Sequence, residues 1–227
     1  MSIVNFFQEG GPMMFITATA GLIGGAIALE RGRKLFITFN RDNGLFMART
    51  KELMIQNRLE DALQYANMES HNGLLPSVIK AGLERAGCDE SLVRQSMESV
   101  YLEQVPKVTN RLGYLSLIAN AGMLFGLLGT VLGLIRQFSA IAMVDAGQKQ
   151  LMMAKGIAEA MNNTALGLMV ALPALVIHGI YVARATRILE DMEKCSSQFM
   201  DWIGLYNYGQ LQKKLSPGSS SRKASNE

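Results

Sequence analysis

Among the hydrogen-bonding side chains in or at the edge of two long uncharged runs of the sequence, five are the strongest functional candidates. They are Thr130, Glu159, Asn162, Asn163 and Thr164. In a hydrocarbon environment such groups face a partner helix or a water-filled path, and they commonly mark the route of an ion. Thr130, Glu159, Asn163 and Thr164 are therefore the candidates for a polar path.

The runs that must position these side chains are long enough to cross a membrane. Twenty-four uncharged residues separate Arg111 from Arg136, and another twenty-four separate Glu159 from Arg184. At 1.5 Å per residue, either run would span a hydrocarbon core of about 30 Å as a helix. A third run, Gly10 to Leu29, has basic residues after it and none before it, unlike a signal peptide. The sequence predicts an all-α integral membrane protein with three transmembrane helices.

The distribution of Lys and Arg gives the orientation and the predicted segments. Residues 1–9 contain no Lys or Arg and residues 136–155 contain three, whereas residues 31–111 contain twelve. Because basic residues collect in cytoplasmic loops, the N-terminus is expected outside and the C-terminus in the cytoplasm. The predicted segments are an outer interfacial segment (1–9), spans (10–30, 112–135, 159–183), a helical cytoplasmic region (31–111), a periplasmic loop (136–158), a helical cytoplasmic extension (184–215) and a disordered tail (216–227).

Helical periodicity predicts long cytoplasmic extensions of this membrane part. Short helices are expected over residues 44–57, 58–68 and 75–86. A further helix starting at Glu90 has no strong stop signal before Ser139. Pro106 is expected to kink it, because an interior proline removes a backbone hydrogen bond.

Glycines in the second and third spans predict close helix packing. Small residues three or four apart let two membrane helices approach closely. They are Gly122, Gly126, Gly129, Gly133 and Gly167. Thr130, at the edge of this stripe, either bonds back to its own helix or lines a pore.

Two readings also remain open in the third span. Asn162, Asn163 and Thr164 together need more hydrogen bonds than one helix supplies, which favours a polar path. Glu159, about one turn away, either extends that path outward or lies at the headgroup boundary. Pro173 in mid-span predicts a kinked or mobile helix.

Several function classes have no support in the sequence. It contains no nucleophile elbow, phosphate loop, metal-ligand cluster or paired carboxylates, so no enzyme, metal or cofactor is predicted. The sequence contains no stripe of basic residues with interleaved aromatic residues, which is the pattern that would indicate a nucleic-acid partner. The two cysteines, Cys88 and Cys195, are expected to be free thiols.

Two segments resemble the signature helices of the TolQ, ExbB and MotA ion-channel family. They are LSLIANAGMLFGLLGTVLGLIRQF (115–138) and GIAEAMNNTALGLMVALPA (156–174). Three spans match the TolQ and ExbB branch. The resemblance implies a pentamer in the bacterial inner membrane around an ExbD- or TolR-like single-span partner with a membrane Asp, and a TonB- or TolA-like protein. It also implies that Thr130, Thr164 and Glu159 line the proton path.

The function implied is the channel-forming subunit of an inner-membrane motor driven by the proton-motive force. TonB-type uptake, Tol-Pal envelope maintenance and gliding motility are all compatible driven processes. A non-conducting scaffold of the same fold is the alternative. Relatives have Ala-Pro where this chain has Ala121-Gly122. They also have apolar residues in place of Asn162 and Asn163. Because the two asparagines add oxygen ligands, Na⁺ is an alternative to H⁺ as the transported ion.

Overall fold

The computed structural model describes residues 11–39, 43–71, 73–142 and 145–215. Within these ranges the chain is helical and has no strand, which confirms the predicted all-α class. The helices are α1 (Gly11–Arg33), α2 (Asn43–Ile55), α3 (Leu59–Ser70), α4 (Leu74–Leu83), α5 (Glu90–Thr109), α6 (Leu112–Ile141) and α7 (Ala146–Leu215). A π-helical turn, Lys34–Thr38, follows α1. The predicted outer segment 1–9 and the predicted tail 216–227 lie outside the described residues.

Three parts of the described chain contain helices that are long and apolar enough to cross a membrane. These helices lie within Met13–Ile55, Glu90–Ile141 and Gly147–Gly209. In their apolar windows only 22%, 22% and 11% of the residues are buried within the chain. Apolar helices that bury so little of themselves need lipid or other protein around them. The predicted three apolar helices are therefore present.

The long helix expected from Glu90 is interrupted between α5 and α6. Arg111 has φ of 62° and ψ of −1°, a left-handed conformation that cannot continue a right-handed helix. Pro106, the expected cause of a kink, remains inside α5. The side chain of Arg111 bonds Glu30 at the end of α1, with Nη1 2.6 Å from Oε2. The ion pair ties the residue at the break to the neighbouring helix.

Most described residues of the segment 136–158, predicted as an outer loop, are helical. The helix α6 continues to Ile141 and α7 begins at Ala146. Charged and polar residues mark where a span leaves hydrocarbon, but they do not end a helix whose backbone remains hydrogen-bonded. The shorter predicted helices lie within a few residues of α2, α3 and α4.

The chain divides into two compact units. The spanning unit comprises residues 11–35 and 110–184 of the described chain. Its buried positions are mostly small or medium apolar residues, such as Ala119, Ala160 and Ala171. At one end the Tyr181 hydroxyl donates to the backbone carbonyl of Ala28, 2.9 Å away. Small residues therefore set the separation of α1, α6 and α7 in this unit.

The second unit comprises the described residues from 36 to 109 and from 185 to 215. Phe199, Leu75 and Ile79 are among its fully buried side chains. Burying side chains of this size stabilises the unit by about 1.5–3 kcal/mol each. A Cβ at Gly82 would lie 2.6 Å from Cε1 of Phe199 and 2.7 Å from Sδ of Met97. Glycine at that position is what allows the Phe199 ring to pack there.

Candidate functional site

The helices α6 and α7 approach most closely at Gly126 and Gly167. A Cβ added to Gly167 would lie 2.9 Å from the Gly126 Cα and 2.7 Å from the Gly122 carbonyl oxygen. A Cβ added to Gly126 would lie 3.0 Å from both the Gly167 Cα and the Asn163 carbonyl oxygen. All of these atoms belong to the backbone, which cannot rotate away. Main chain packs directly against main chain at this crossing.

The hydroxyls of Thr130 and Thr164 meet beside that crossing. Their Oγ1 atoms are hydrogen-bonded to each other. Thr130 Oγ1 lies 3.1 Å from the Gly126 carbonyl oxygen of its own helix and 3.2 Å from the Ala160 carbonyl oxygen of α7. Thr164 Oγ1 lies 3.4 Å from the same Gly126 oxygen. Two hydroxyls and two carbonyls thus form one oxygen cluster inside the uncharged runs.

Asn163 lies next to this cluster but inside the interface of α6 and α7. It is 5% exposed, and its Oδ1 has no hydrogen-bond partner among the described residues. A Cβ added to Gly129 would lie 2.9 Å from both Cβ and Cγ of Asn163. A buried amide oxygen retains its capacity to accept a bond from water or to ligate a cation. The side chain therefore fills the space that Gly129 leaves on α6.

The remaining predicted pathway residue, Glu159, lies at the edge of the unit. Its side chain is 29% exposed, and its carboxylate is 3.8 Å from Nζ of Lys155. That distance allows a weak ion pair between two groups on one helix surface. Asn162 is partly exposed. Thr130 and Thr164 come together in the structure, whereas Glu159 lies one turn and a half before Thr164 along α7.

The other predicted packing residues occupy the same side of α6 or the middle of α7. A Cβ on Gly122 would make an ordinary contact of 3.4 Å with Cγ1 of Val170, and one on Gly133 would lie 3.3 Å from Ala160 Cβ. Pro173 lies inside α7, which continues through it without a break. The helix contacts are thus tightest near Gly126 and looser toward both ends of the stripe.

A contact missed by sequence reasoning connects the end of α6 with the start of α7. The Gln137 side-chain Nε2 donates to the Met152 backbone carbonyl at 2.6 Å. The Gln137 side chain also lies directly on Gly156, where a Cβ would collide with it. Gln137 is a polar residue beside Arg136, so its position at the end of a span was the only available signal.

The cluster consists of hydroxyl and carbonyl oxygens and contains no titratable group. Neither uncharged run contains an Asp, Glu, Lys or Arg, and His178, toward one end, is the one histidine in them. No group of three or more His, Cys, Asp or Glu side chains suited to a metal ion occurs among the described residues. The cluster can bind water or a cation and pass hydrogen bonds between helices.

Comparison with known proteins places these helices in a family. Residues 70–194, more than half of the chain, match the model of the MotA/TolQ/ExbB proton channel family. A biopolymer transport protein ExbB homolog of Methanothermobacter thermautotrophicus is 26% identical over 193 residues, covering 85% of this chain and 66% of that protein. The Tol-Pal system protein TolQ of Haemophilus influenzae is 30% identical over 113 residues, 48% of this chain and 49% of that protein.

A third relative, the biopolymer transport protein exbB1 of Vibrio cholerae, is 34% identical over 116 residues, 51% of this chain and 50% of that protein. The matches therefore span about half to two-thirds of the length of these relatives. The matched family segment contains Thr130, Thr164 and the Gly126 to Gly167 crossing. The chain belongs to the MotA/TolQ/ExbB proton channel family.

Proposed function

We propose that this protein is the channel-forming subunit of an inner-membrane motor that couples an ion gradient to mechanical work. The observation that carries this proposal is the pair of threonine hydroxyls, Thr130 and Thr164, that meet inside the membrane-spanning helices. Polar groups buried at membrane depth are costly, so a pair retained there indicates a polar path. The subunits assemble as a homo-oligomer, a pentamer as in the family that the sequence resembles.

A single-span partner supplies the proton carrier. No Asp, Glu, Lys or Arg occurs between Leu112 and Ile135, or between Ala160 and Ala183. A proton relay across about 30 Å of hydrocarbon needs a titratable group in the middle. The partner is an ExbD- or TolR-like protein with an Asp in its span, and it passes movement to a TonB- or TolA-like protein.

The names of the relatives support a role in the cell envelope. They include a Tol-Pal system protein and biopolymer transport proteins. We propose the same setting for this chain: a bacterial cytoplasmic membrane, with the N-terminus outside and the C-terminus in the cytoplasm. Glu159 and Asn163 complete the ion path, Glu159 at its outer end.

A specific observation also favours the alternative function, a non-conducting scaffold. Both threonine hydroxyls have acceptors within this single chain, the carbonyls of Gly126 and Ala160. A hydroxyl satisfied inside its own subunit is what helix packing alone requires. After assembly is complete, the channel function still needs the threonine hydroxyl for ion flux, whereas the scaffold function does not.

The deciding experiment is ion flux in vesicles that contain the full chain and its candidate single-span partner. The variants are Thr164→Val, which keeps the shape and removes the hydroxyl, and Thr164→Ser, which keeps the hydroxyl. We expect flux to require the partner and to survive in Thr164→Ser. In Thr164→Val we expect flux to fall at least about tenfold, because a tenfold loss of rate corresponds to the loss of about 1.4 kcal/mol of transition-state stabilisation. Opposing H⁺ and Na⁺ gradients identify the ion.

The matched control is Thr17→Val in α1, because Thr17 is also a buried span threonine bonded to its own helix, at 3.0 Å from the Met13 carbonyl. Flux unaffected by Thr164→Val in a fully assembled complex would reject the channel function and favour the scaffold. Equal losses in Thr164→Val and Thr17→Val would show a general packing defect instead of a pathway role.

A further inference from the structure

An open groove lies on the spanning unit, separate from the threonine pair. Its volume is 460 Å³, and it is bounded by α1, α6 and the middle of α7. Six residues that outline it are Gly21, Gly25, Ala28, Met169, Pro173 and Ile177. A Cβ placed on Gly25 would meet no other atom within 4 Å. Because an empty groove gives up dispersion contacts along its walls, something apolar must fill it in a membrane.

The dimensions of the groove fit a hydrocarbon chain better than a helix. On α1 it extends from Ala18 to Ala28, which is about 15 Å along the helix axis. Spread over that length, 460 Å³ corresponds to a channel about 6 Å across, compared with 10–12 Å for a helix with its side chains. One extended acyl chain has the required width. The backbone of a neighbouring helix does not fit into that width, so such a helix would reach the space beside Gly25 only with individual side chains.

One end of the groove is closed by a tyrosine. The Tyr181 hydroxyl donates to the Ala28 carbonyl at 2.9 Å. A Cβ on Gly32 would lie 2.5 Å from the same hydroxyl oxygen, so Tyr181 occupies the gap between α1 and α7. A tyrosine with an apolar ring and a polar tip suits the boundary between hydrocarbon and headgroups. The groove therefore ends at headgroup depth.

Positive charge is concentrated at this closed end. Residues 30–35, 110–111 and 181–184 of the spanning unit contain five basic residues and one acidic residue. The basic residues are Arg31, Arg33, Lys34, Arg111 and Arg184. The single acid, Glu30, already bonds Lys34 at 2.8 Å and Arg111 at 2.6 Å. The excess charge complements an anionic headgroup, and basic sites between membrane helices bind such headgroups.

We propose that this groove binds one acyl chain of an anionic phospholipid whose phosphate lies at the basic end beside Tyr181. The inference is independent of ion conduction, because lipid binding needs neither an ion gradient nor a partner protein. It gives the small residues of α1 a function beyond helix packing. It also assigns Pro173 a place in the wall of a lipid site.

The test uses the full chain in nanodiscs of phosphatidylcholine that contain a small fraction of phosphatidylglycerol with a photoactivatable acyl chain. Labelled peptides are mapped after irradiation. We expect label on the groove walls of α1 and α7, and a fall of about tenfold in Gly25→Leu, because the new side chain fills the space of the acyl chain. The control is Ala26→Leu, which adds a similar side chain at an exposed neighbour that does not line the groove.

Unlabelled lipids added as competitors test the headgroup. Phosphatidylglycerol should displace the label more effectively than phosphatidylcholine, and Arg33→Gln should reduce that difference. Equal labelling of Gly25→Leu and Ala26→Leu, equal competition by the two lipids, or crosslinks from a second copy of the chain in place of lipid would each overturn the proposal. Unchanged helicity and unfolding midpoint in Gly25→Leu ensure that a loss of label reports an occupied groove.

Discussion

Replacing Gly167 with alanine tests whether the backbone crossing of α6 and α7 sets the geometry of the threonine pair. The added Cβ would lie 2.7 Å from the Gly122 carbonyl oxygen and 2.9 Å from the Gly126 Cα. The first distance is about 0.7 Å short of an ordinary contact at 3.4 Å. Since only backbone atoms are involved, the helices must separate by several tenths of an ångström, and Thr130 moves away from Thr164.

The size of the effect follows from comparing Gly167→Ala with Gly122→Ala. Alanine favours a helix over glycine by about 1 kcal/mol, and this gain is the same in both variants. A Cβ on Gly122 meets its nearest neighbour at 3.4 Å, so no strain is added there. Overpacking typically costs about 1–3 kcal/mol. Gly167→Ala should therefore be less stable than Gly122→Ala by about 1–3 kcal/mol in the free energy of unfolding.

The measurement is unfolding in mixed micelles, followed by the loss of helical circular dichroism as SDS is added. Ion flux is measured on the same variants after they are reconstituted with the partner into vesicles. We expect Gly167→Ala to lower both the unfolding midpoint and the flux, and Gly122→Ala to retain both. If the two variants unfold at the same SDS fraction, the helices are not in backbone contact at this crossing, and the reasoning fails.

Three further predictions concern contacts away from the crossing. Tyr181→Phe removes a hydroxyl that donates to a carbonyl of α1 and should lower the free energy of unfolding by about 1 kcal/mol in the same titration. Gly156→Ala forces a Cβ onto Gln137, so Gln137→Ala should restore part of the lost stability, with a coupling of about 0.5–3 kcal/mol in a double-mutant cycle. Burial and then the charge of Asp191 raise the pKa of the Cys195 thiol. Iodoacetamide should therefore alkylate Cys195 slowly near neutral pH and faster at alkaline pH, and Asp191→Asn should move that rise to lower pH.

Each of these measurements has its own control. Tyr114→Phe alters an exposed tyrosine of α6, and a loss equal to that of Tyr181→Phe would mean that the bond to α1 adds nothing. Strictly additive effects at Gly156 and Gln137 would show that the two residues do not touch. An alkylation profile of Cys195 that is unchanged by Asp191→Asn would leave burial as the sole cause of the raised pKa.

The sequence predicted the spans because charge disappears from them, but charge did not report where the helices end. The run up to Arg136 is the part that fits in hydrocarbon, whereas α6 continues to Ile141 since its backbone bonds continue. The break at Arg111 was also missed. A left-handed φ is expected of glycine or asparagine, and arginine carries no such signal; only the contact with Glu30 on another helix accompanies it.

The candidate site was predictable as a set of residues and not as an arrangement. Glycines at helical spacing identify one side of α6, but no spacing within one helix tells which residue of α7 will oppose Thr130. The Thr130 hydroxyl bonds back to its own helix and also contacts α7, whereas its pore-lining role stays a prediction. Asn163 was expected on a polar path, and the structure buries it against Gly129, because a glycine leaves room for a side chain there.

The main-chain crossing at Gly126 and Gly167 has a consequence for how the protein can vary. No residue is smaller than glycine, so every single substitution at either position pushes the helices apart and none draws them closer. Mutational scanning at these two positions should find that the tolerance for substitution falls steeply as the volume of the new side chain grows. At Asn162, which is partly exposed, it should find a gradual fall, because side chains of several sizes and polarities can be exchanged there. Adaptation of the proposed pore to a different ion would then proceed through Asn162, while the two glycines stay unchanged.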